Sequence, residues 1–233
     1  AMYEQGVDQK FSRTPLAEGT SLGMHESQSR MWENLVGRSK PFWIAFYPRL
    51  QKYFPNQLAK VELEAFYRAI NKVEPSLIRV EADEATYNLH VMLRFEIETA
   101  LLKGEIEVAN LPDVWNAKMR EYLGVTAPDD AQGVLQDVHW SEGLLGYFPT
   151  YALGNLIASQ LWEKIEEDIP DLSQQIETSK FDALLNWLRE NIHKYGAKLE
   201  PMELLQQITG SGLSAESYLR YLRSKFGDIY DLN

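Results

Sequence analysis

The chain has 233 residues, enough for one large domain or two small ones. Hydrophobic residues make up 45% of it, and six Trp, twelve Tyr and nine Phe add bulky apolar area, which excludes a disordered chain. A formal net charge of −11 would repel a phosphate backbone, so we expect no nucleic-acid partner.

Helical patterns dominate the chain. Residues 24–38 carry apolar side chains at helical spacing and predict the first helix, after which Pro41 and Pro48 punctuate an aromatic segment. Residues 76–81 alternate in polarity and include β-branched side chains, so they predict a short strand. Further helices are predicted at residues 56–73, 83–103, 112–123, 150–168, 179–195, 200–209 and 214–226, with a loop at 124–136.

The expected fold is therefore mainly α, with at most a short β element. We find no internal linker and assign residues 1–233 to a single helical domain. No stretch approaches the ~20 apolar residues of a membrane helix, and the opening AMYEQGVDQK lacks an apolar signal core, so we expect no membrane partner. The absence of cysteine excludes disulfides, thiolate zinc sites and a cysteine nucleophile, and it suits a cytoplasmic protein.

The first segment whose side chains could take part in catalysis or metal binding is His25-Glu26-Ser27-Gln28, inside the first predicted helix. Helical spacing places Glu26 and Glu33 on one face, where two carboxylates could ligate a metal. His25 projects about 100° away and cannot occupy the same place as Glu26. From spacing alone, an exposed polar face is the preferred interpretation.

The second segment is Ile78-Arg79-Val80-Glu81-Ala82-Asp83. Arg79 stands between apolar neighbours at a predicted strand-to-helix junction, where its planar fork could bind a carboxylate in a cleft. A structural Arg–Glu pair with Asp83 as a helix cap explains the same residues.

The third segment, Gly133 to Tyr151, concentrates acid, imidazole, amide, indole and phenol groups. His139 could donate to an oxyanion, with Asp137 or Gln136 fixing its tautomer. Tyr147 stands in a turn shaped by glycine and proline, and a well-packed aromatic turn is the alternative. Two further histidines are predicted to be structural: His90 as a packed, hydrogen-bonded residue and His193 as a solvated one near a helix end.

Together, and in this order, the three segments resemble motifs of the carboxypeptidase Taq family. HES/GQ corresponds to His25-Glu26-Ser27-Gln28, and IRxxAD to Ile78, Arg79, Ala82 and Asp83. GxxQDxHW corresponds to Gly133, Gln136, Asp137, His139 and Trp140. The resemblance covers essentially the whole chain and implies the C-terminal portion of a multi-helix, gluzincin-like zinc metallopeptidase domain.

The resemblance implies a role for each site residue. Glu26 corresponds to the third zinc ligand, and Arg79 to the residue that binds the free C-terminal carboxylate of a peptide. His139 and Tyr147 are expected to bind substrate or steady the oxyanion. Further substrate-binding residues would be His25, Gln136, Asp137 and Tyr151.

The implied reaction is metal-assisted hydrolysis, in which zinc lowers the pKa of its water to about 7. Zinc is the expected cofactor, with cobalt as a possible replacement. Members of the family are typically cytoplasmic homodimers, so a homo-oligomer in the cytoplasm is expected.

One motif of the family is missing, because no His-Glu-x-x-His occurs in the 233 residues. In the family this motif supplies two zinc ligands and the catalytic Glu, immediately before the segment that corresponds to Ala1-Met2-Tyr3. A catalytic zinc needs about three protein ligands, so we expect this chain alone to be inactive and not to hold zinc. Its expected partner is the N-terminal part of the same enzyme. The alternatives are completion by a separate N-terminal chain, or a non-catalytic helical module for binding or assembly.

Overall fold

The computed structural model describes residues 2–232. Within them the regular secondary structure is helical, and there is no β-strand. Met31–Val36 is a π-helical segment, and short 3-10 helices occur at Gln9–Phe11, Arg79–Glu81, Val108–Asn110 and His193–Tyr195. The α-helices are α1 Met2–Gly6, α2 Leu22–Arg30, α3 Lys40–Tyr53, α4 Pro55–Leu58, α5 Leu63–Ile70, α6 Tyr87–Leu102, α7 Leu111–Leu123, α8 Pro149–Asp168, α9 Leu172–Glu177, α10 Asp182–Asn191, α11 Pro201–Thr209 and α12 Glu216–Tyr230. The expectation of a mainly α fold is confirmed.

The short strand predicted at residues 76–81 is wrong. Arg79–Glu81 is instead a 3-10 helix. A strand needs a neighbouring strand to satisfy its backbone groups, and the part of the chain that the structure describes provides none. The Arg79 backbone N–H donates to the side-chain Oε1 of Gln136 at 2.9 Å, so its hydrogen bond is made without a sheet.

Several predicted helix limits also differ. The helix predicted at 56–73 is two helices, α4 and α5. The aromatic segment is itself helical: Ser39 caps α3, and Pro48 lies inside it without ending it. The last helix passes Gly227, its predicted end, and terminates at Asp231 in the left-handed conformation. A proline or glycine therefore does not end a helix where tertiary packing favours its continuation.

The helix predicted to begin at Asp83 begins at Tyr87 as α6. Asp83 nevertheless acts as a local cap, because its Oδ1 accepts from the backbone N–H groups of Ala85 and Thr86 at 2.9 Å each. The capping interpretation of Asp83 is therefore confirmed, although the capped turn precedes the regular helix.

The chain divides into two compact units, each described by itself below. The first unit comprises Ala1–Ile70 with Leu153–Asn233, and the second comprises Asn71–Ala152. The assignment of residues 1–233 to a single domain stays a prediction. No helix within residues 2–232 is long and apolar enough to cross a membrane.

The core of the first unit lies between α2, the π-helical segment, α8 and the helices that follow α8. Its apolar residues recur at helical spacing, as Ile157, Leu161 and Ile165 do on α8, so each helix turns one face inward. Fully burying such a side chain contributes about 1.5–3 kcal/mol. Buried members of this core are Tyr3, Met24, Met31, Leu35, Ile157, Leu161, Ile165, Leu184, Leu188, Leu204 and Leu205.

The second unit has two small cores, both of which use α6. Leu93 and Ile97 of α6 pack against Trp115, Met119 and Leu123 of α7, each set at intervals of four residues. The other core joins Ala82, Tyr87 and Val91 to Phe148. These cores fix the face of α6 that lies beside the motif residues.

Candidate active-site residues

Glu26 lies on α2 of the first unit, where two neighbours hold its carboxylate. Ser29 Oγ donates to Glu26 Oε2 at 2.8 Å, and Arg30 Nε donates to Glu26 Oε1 at 2.8 Å. Arg30 Nη1 also donates to Glu33 Oε2 at 3.1 Å, so the predicted polar face is present. The Glu26 side chain is 22% exposed, which leaves its carboxylate partly accessible.

Gly154 of α8 lies directly against Glu26. A Cβ atom at Gly154 would be 2.6 Å from Glu26 Cγ and 3.1 Å from the Glu26 backbone carbonyl carbon. Only a residue without a side chain allows so close an approach. The position of Glu26 is therefore set by the packing of α2 on α8 as well as by its hydrogen bonds.

His25, the other candidate on α2, is partly exposed. Its Nε2 is 3.4 Å from Oε1 of Glu4, and 43% of its side chain is exposed. Its ring also stacks on Tyr3, with centroids 5.7 Å apart. His25 thus pairs with α1 and not with Glu26.

Gln28, the last residue of the first motif, is buried and bonded to His193. His193 is 1% exposed, so the prediction of a solvated histidine is wrong. Its Nε2 lies 3.0 Å from Gln28 Oε1, and because that amide oxygen only accepts, Nε2 carries the proton. Burial lowers the pKa of His193 to about 4, so the ring is neutral. His193 and Gln28 thereby tie the segment after α10 to α2.

Arg79 is the centre of the motif residues in the second unit. Its Nε and Nη2 both donate to Asp137 Oδ1, at 3.0 and 2.7 Å. Its Nη1 donates to the Tyr87 hydroxyl at 2.9 Å, and its guanidinium carbon lies 4.6 Å from the centroid of the Tyr151 ring. The predicted structural Arg–Glu pair is replaced by an Arg–Asp pair, which joins residues 58 positions apart.

Asp137 bridges two guanidinium groups. Its Oδ2 accepts from Arg94 Nε at 2.7 Å, while Oδ1 accepts from Arg79. Burial raises the pKa of Asp137, but the two cations outweigh burial and hold that pKa below its usual range. Asp137 therefore stays ionised.

Gln136 also bonds to both Arg79 and Arg94. Its Oε1 accepts from the Arg79 backbone N–H at 2.9 Å and from Arg94 Nη2 at 2.8 Å. Its Nε2 donates to the backbone oxygens of Leu77 and Gln132 at 3.0 Å each. With all these atoms engaged, the amide fixes the 3-10 helix that carries Arg79.

His139 pairs with Tyr151 and not with an acid. Its Nε2 and the Tyr151 hydroxyl are 2.8 Å apart, with the direction of the hydrogen bond set by the tautomer. Its Nδ1 is 4.0 Å from Asp137 Oδ1, beyond hydrogen-bond distance. Burial, with the cations Arg79 and Arg94, lowers the pKa of His139 despite the proximity of Asp137. The imidazole is therefore neutral near pH 7.

Tyr147 lies beside this pair without bonding to it. The rings of Tyr147 and His139 are 5.3 Å apart, and Tyr147 contacts Tyr151 edge-on at 5.5 Å. The adjoining Trp140 donates its indole N–H to Glu98 Oε2 at 2.8 Å. The aromatic turn is thus packed and carries hydrogen bonds at the same time.

His90 is buried on α6, as predicted, but not hydrogen-bonded as predicted. It is 0% exposed, and neither ring nitrogen has a hydrogen-bond partner among residues 2–232. Burial lowers the pKa of His90 to about 4, with Arg94 and Arg79 acting in the same direction. The His90 ring is therefore neutral, and neither of its nitrogens is satisfied by a hydrogen bond within residues 2–232.

The predicted site residues thus fall into two groups. His25 and Glu26 belong to the first unit, whereas Arg79, Gln136, Asp137, His139, Tyr147 and Tyr151 come together in the second. Sequence reasoning missed Arg94, Tyr87 and Gly154. Arg94 follows His90 by one helical turn, but nothing in its sequence neighbourhood distinguishes a fully buried Arg from a surface one.

The donor set of the chain does not make a complete zinc site. Within the described residues, no group of three or more His, Asp or Glu could hold a metal ion. Glu26 offers one partly exposed carboxylate, already bonded to Ser29 and Arg30. Because a catalytic zinc takes about three protein ligands, these residues do not fit one by themselves.

Comparison with known proteins defines the class. The carboxypeptidase Taq (M32) metallopeptidase family matches residues 1–226, and the chain belongs to this family. Thermostable carboxypeptidase 1 of Thermus thermophilus is 49% identical over 230 residues, which are 99% of this chain and 45% of that protein. Carboxypeptidase 1 of Bacillus subtilis is 44% identical over 230 residues, 99% of this chain and 46% of that protein.

A solved structure agrees with this assignment. The crystal structure of the M32 carboxypeptidase from Deinococcus radiodurans R1 superposes with a TM-score of 0.95 at 48% identity. The match covers 99% of this chain and 46% of that one. The chain therefore spans about half the length of the relatives it matches.

Proposed function

We propose that this chain supplies the C-terminal part of the catalytic domain of a zinc metallocarboxypeptidase that releases C-terminal amino acids from peptides. The observation that carries the proposal is the buried ion pair between Arg79 and Asp137. It joins the second and third motifs, 58 residues apart, into one cluster. The similarity to named carboxypeptidases over 99% of the chain supports the same reaction class.

Arg79 is the proposed binding residue for the terminal carboxylate. A guanidinium has five N–H donors, and the bonds to Asp137 and Tyr87 use three of them, which leaves two for a ligand. Asp137 and Tyr87 hold the fork in one orientation, so little side-chain entropy would be lost on binding. Recognition of a free carboxylate by Arg79 would restrict cleavage to the last peptide bond.

His139 and Tyr147 are the proposed groups beside the scissile carbonyl. A neutral imidazole has one N–H, and because Nδ1 of His139 is buried, His139 would donate to an oxyanion from Nε2 in exchange for its contact with Tyr151. Tyr151 orients the His139 ring through the 2.8 Å contact at Nε2. Gln136 and Asp137, predicted to bind substrate, are proposed to do so indirectly by holding Arg79. His25 is proposed to face the substrate from its partly exposed position on α2.

Glu26 is the proposed metal ligand of this chain. Zinc is the expected metal, with cobalt as a possible replacement, and its other ligands would come from a His-Glu-x-x-His segment outside these 233 residues. The N-terminal part of the same enzyme is therefore the proposed partner, within a cytoplasmic homo-oligomer. We propose that the chain alone is inactive and self-associates, which sedimentation across a range of concentrations would test.

A chimera tests the function directly. The part of the Bacillus subtilis relative that this chain matches would be replaced by the chain, so that the relative supplies the remaining segment. We expect the chimera to release the C-terminal residue from N-blocked peptides, and the chain alone to release none. Peptides with an amidated C-terminus should be poor substrates, because the amide lacks the charge that Arg79 would bind.

Two results would contradict the proposal. One is a folded, zinc-loaded chimera without carboxypeptidase activity. The other is chelator-sensitive release by the chain alone, which would refute its proposed inactivity. A chain that is inactive in both contexts would favour the alternative of a non-catalytic binding or assembly module.

A further inference from the structure

Arg94 is a fully buried cation that no sequence motif singles out. Its side chain is 0% exposed, whereas the Arg79 side chain retains 6%. Besides its bonds to Asp137 and Gln136, Arg94 Nη1 donates to the His90 backbone oxygen at 2.8 Å. Its guanidinium carbon lies 4.5 Å from the centroid of a Trp115 ring. Of the three bonded groups, Asp137 and Arg79 keep small exposed fractions of 9% and 6%, whereas Arg94 has none, so a ligand would meet the cluster at Arg79 and Asp137 and not at Arg94.

The charges of this cluster do not balance. Among residues 2–232, Asp137 is the one carboxylate that pairs with both Arg79 and Arg94, so these three groups together carry one positive charge in excess. Glu98, another buried acid on α6, bonds to Trp140 instead. Burial lowers the pKa of Arg94 to about 10, which still leaves the guanidinium charged at neutral pH.

We infer that Arg94 is a specificity-determining residue, which makes the cluster select an anionic ligand by supplying the positive charge that Asp137 does not neutralise. If Arg94 were neutral, Arg79 and Asp137 would form a balanced pair with little net attraction for a carboxylate. With Arg94 charged, the excess acts at Arg79, the cation of the cluster whose side chain keeps a small exposed fraction. The inference rests on the proposed role of Arg79 in binding the terminal carboxylate.

Arg94 also acts on Arg79 through a second route. Gln136 Oε1 accepts from both Arg94 Nη2 and the Arg79 backbone N–H, so Arg94 fixes the amide that holds the 3-10 helix. If Arg79 lost its position, the binding of every ligand would weaken. If the cluster lost the charge of Arg94, the binding of a charged ligand would weaken selectively. The ratio of affinities for an anionic and a neutral probe separates these effects.

The test measures binding to the purified 233-residue chain of N-acetyl-L-alanine, which has a free carboxylate, and of its uncharged amide. We expect the wild-type chain to prefer the carboxylate and Arg94→Met to lower that preference on the order of tenfold. Arg94→Lys keeps the charge and should retain most of the preference. The double variant Arg94→Met/Asp137→Asn removes one charge of each sign and should also retain it.

An unchanged preference in folded Arg94→Met would overturn the inference. If Arg94→Met does not fold, the double variant decides, since loss of preference there is the opposite of what we expect. A wild-type chain without any preference would refute both this inference and the proposed role of Arg79. The chimera could fail to hydrolyse peptides while the preference for the carboxylate over the amide changes in the Arg94 variants as expected. That result would refute the proposed activity and leave this inference standing.

Discussion

Gly154 of α8 and Glu26 of α2 are so close that a Cβ atom at Gly154 would lie 2.6 Å from Glu26 Cγ. The carbonyl carbon of Glu26 is also within 3.1 Å of that position, so a side-chain rotation alone could not make room. The candidate metal ligand is therefore placed by a helix contact that tolerates only glycine.

Gly154→Ala should destabilise the chain by about 1–3 kcal/mol, because α2 and α8 must move apart. Gly23→Ala is the matched control on the same helix pair, where the new Cβ would meet Leu153 Cβ at an ordinary 3.4 Å. The control should change stability by less than about 1 kcal/mol, in the stabilising direction, because alanine favours a helix. Urea unfolding measures both, and equal losses in the two variants would contradict the prediction.

Glu26→Gln should abolish zinc binding by the chimera, because it removes the charge of the carboxylate that we propose as this chain's zinc ligand. Glu33→Gln is the control, since Glu33 shares the helix face and the Arg30 partner but is 47% exposed. We expect elemental analysis to find about one zinc per chain in the control and in the parent chimera. Zinc retained in Glu26→Gln at the parent level would rule out Glu26 as a ligand.

Arg79→Lys in the chimera should raise KM for peptides with a free C-terminus, and kcat/KM should fall roughly 30-fold or more. Lysine keeps the charge but cannot bond Asp137, Tyr87 and a carboxylate with one planar fork. Tyr87→Phe removes only the bond at Nη1 and should have a smaller effect. Steady-state kinetics check this, and the assignment of Arg79 fails if Tyr87→Phe is the more damaging change.

The chain should lose stability as the pH falls from about 6.5 towards 4. His90 has a folded-state pKa of about 4, lowered by burial and by Arg94 and Arg79 against Asp137 and Asp83. In the unfolded state His90 takes up a proton as the pH falls through about 6.5, whereas in the folded state it does so only near pH 4. The contribution of neutral His90 to the free energy of unfolding is therefore complete above pH 6.5. It should amount to about 3 kcal/mol, lost progressively on acidification.

His90→Gln should reduce the slope of unfolding free energy against pH between 6.5 and 4. His193, whose pKa is also lowered to about 4, should contribute separately, so His90→Gln/His193→Gln should reduce the slope further. Denaturant unfolding at several pH values measures the slopes. Identical slopes in wild type and His90→Gln would mean that His90 does not resist protonation in the fold.

Periodicity predicted the long helices well, because a buried stripe repeats along the chain. α7 and α8 begin and end within one or two residues of their predicted limits, where Pro112, Pro170 and Gly124 punctuate the pattern. The short strand at 76–81 was predicted from local alternation alone. Alternation cannot reveal whether a second strand is available, so the prediction failed where the pairing partner was a side chain, Gln136.

The sequence by itself determined the mainly α fold, the family and the residue types of the candidate site, since helical spacing and ordered motifs are local properties. Only the tertiary structure decided which groups meet. Asp137 pairs with Arg79 and Arg94, His139 with Tyr151, and His193 with Gln28. The physical reason is that pairing, burial and the resulting pKa values depend on distances between residues far apart in the chain, which no local pattern contains.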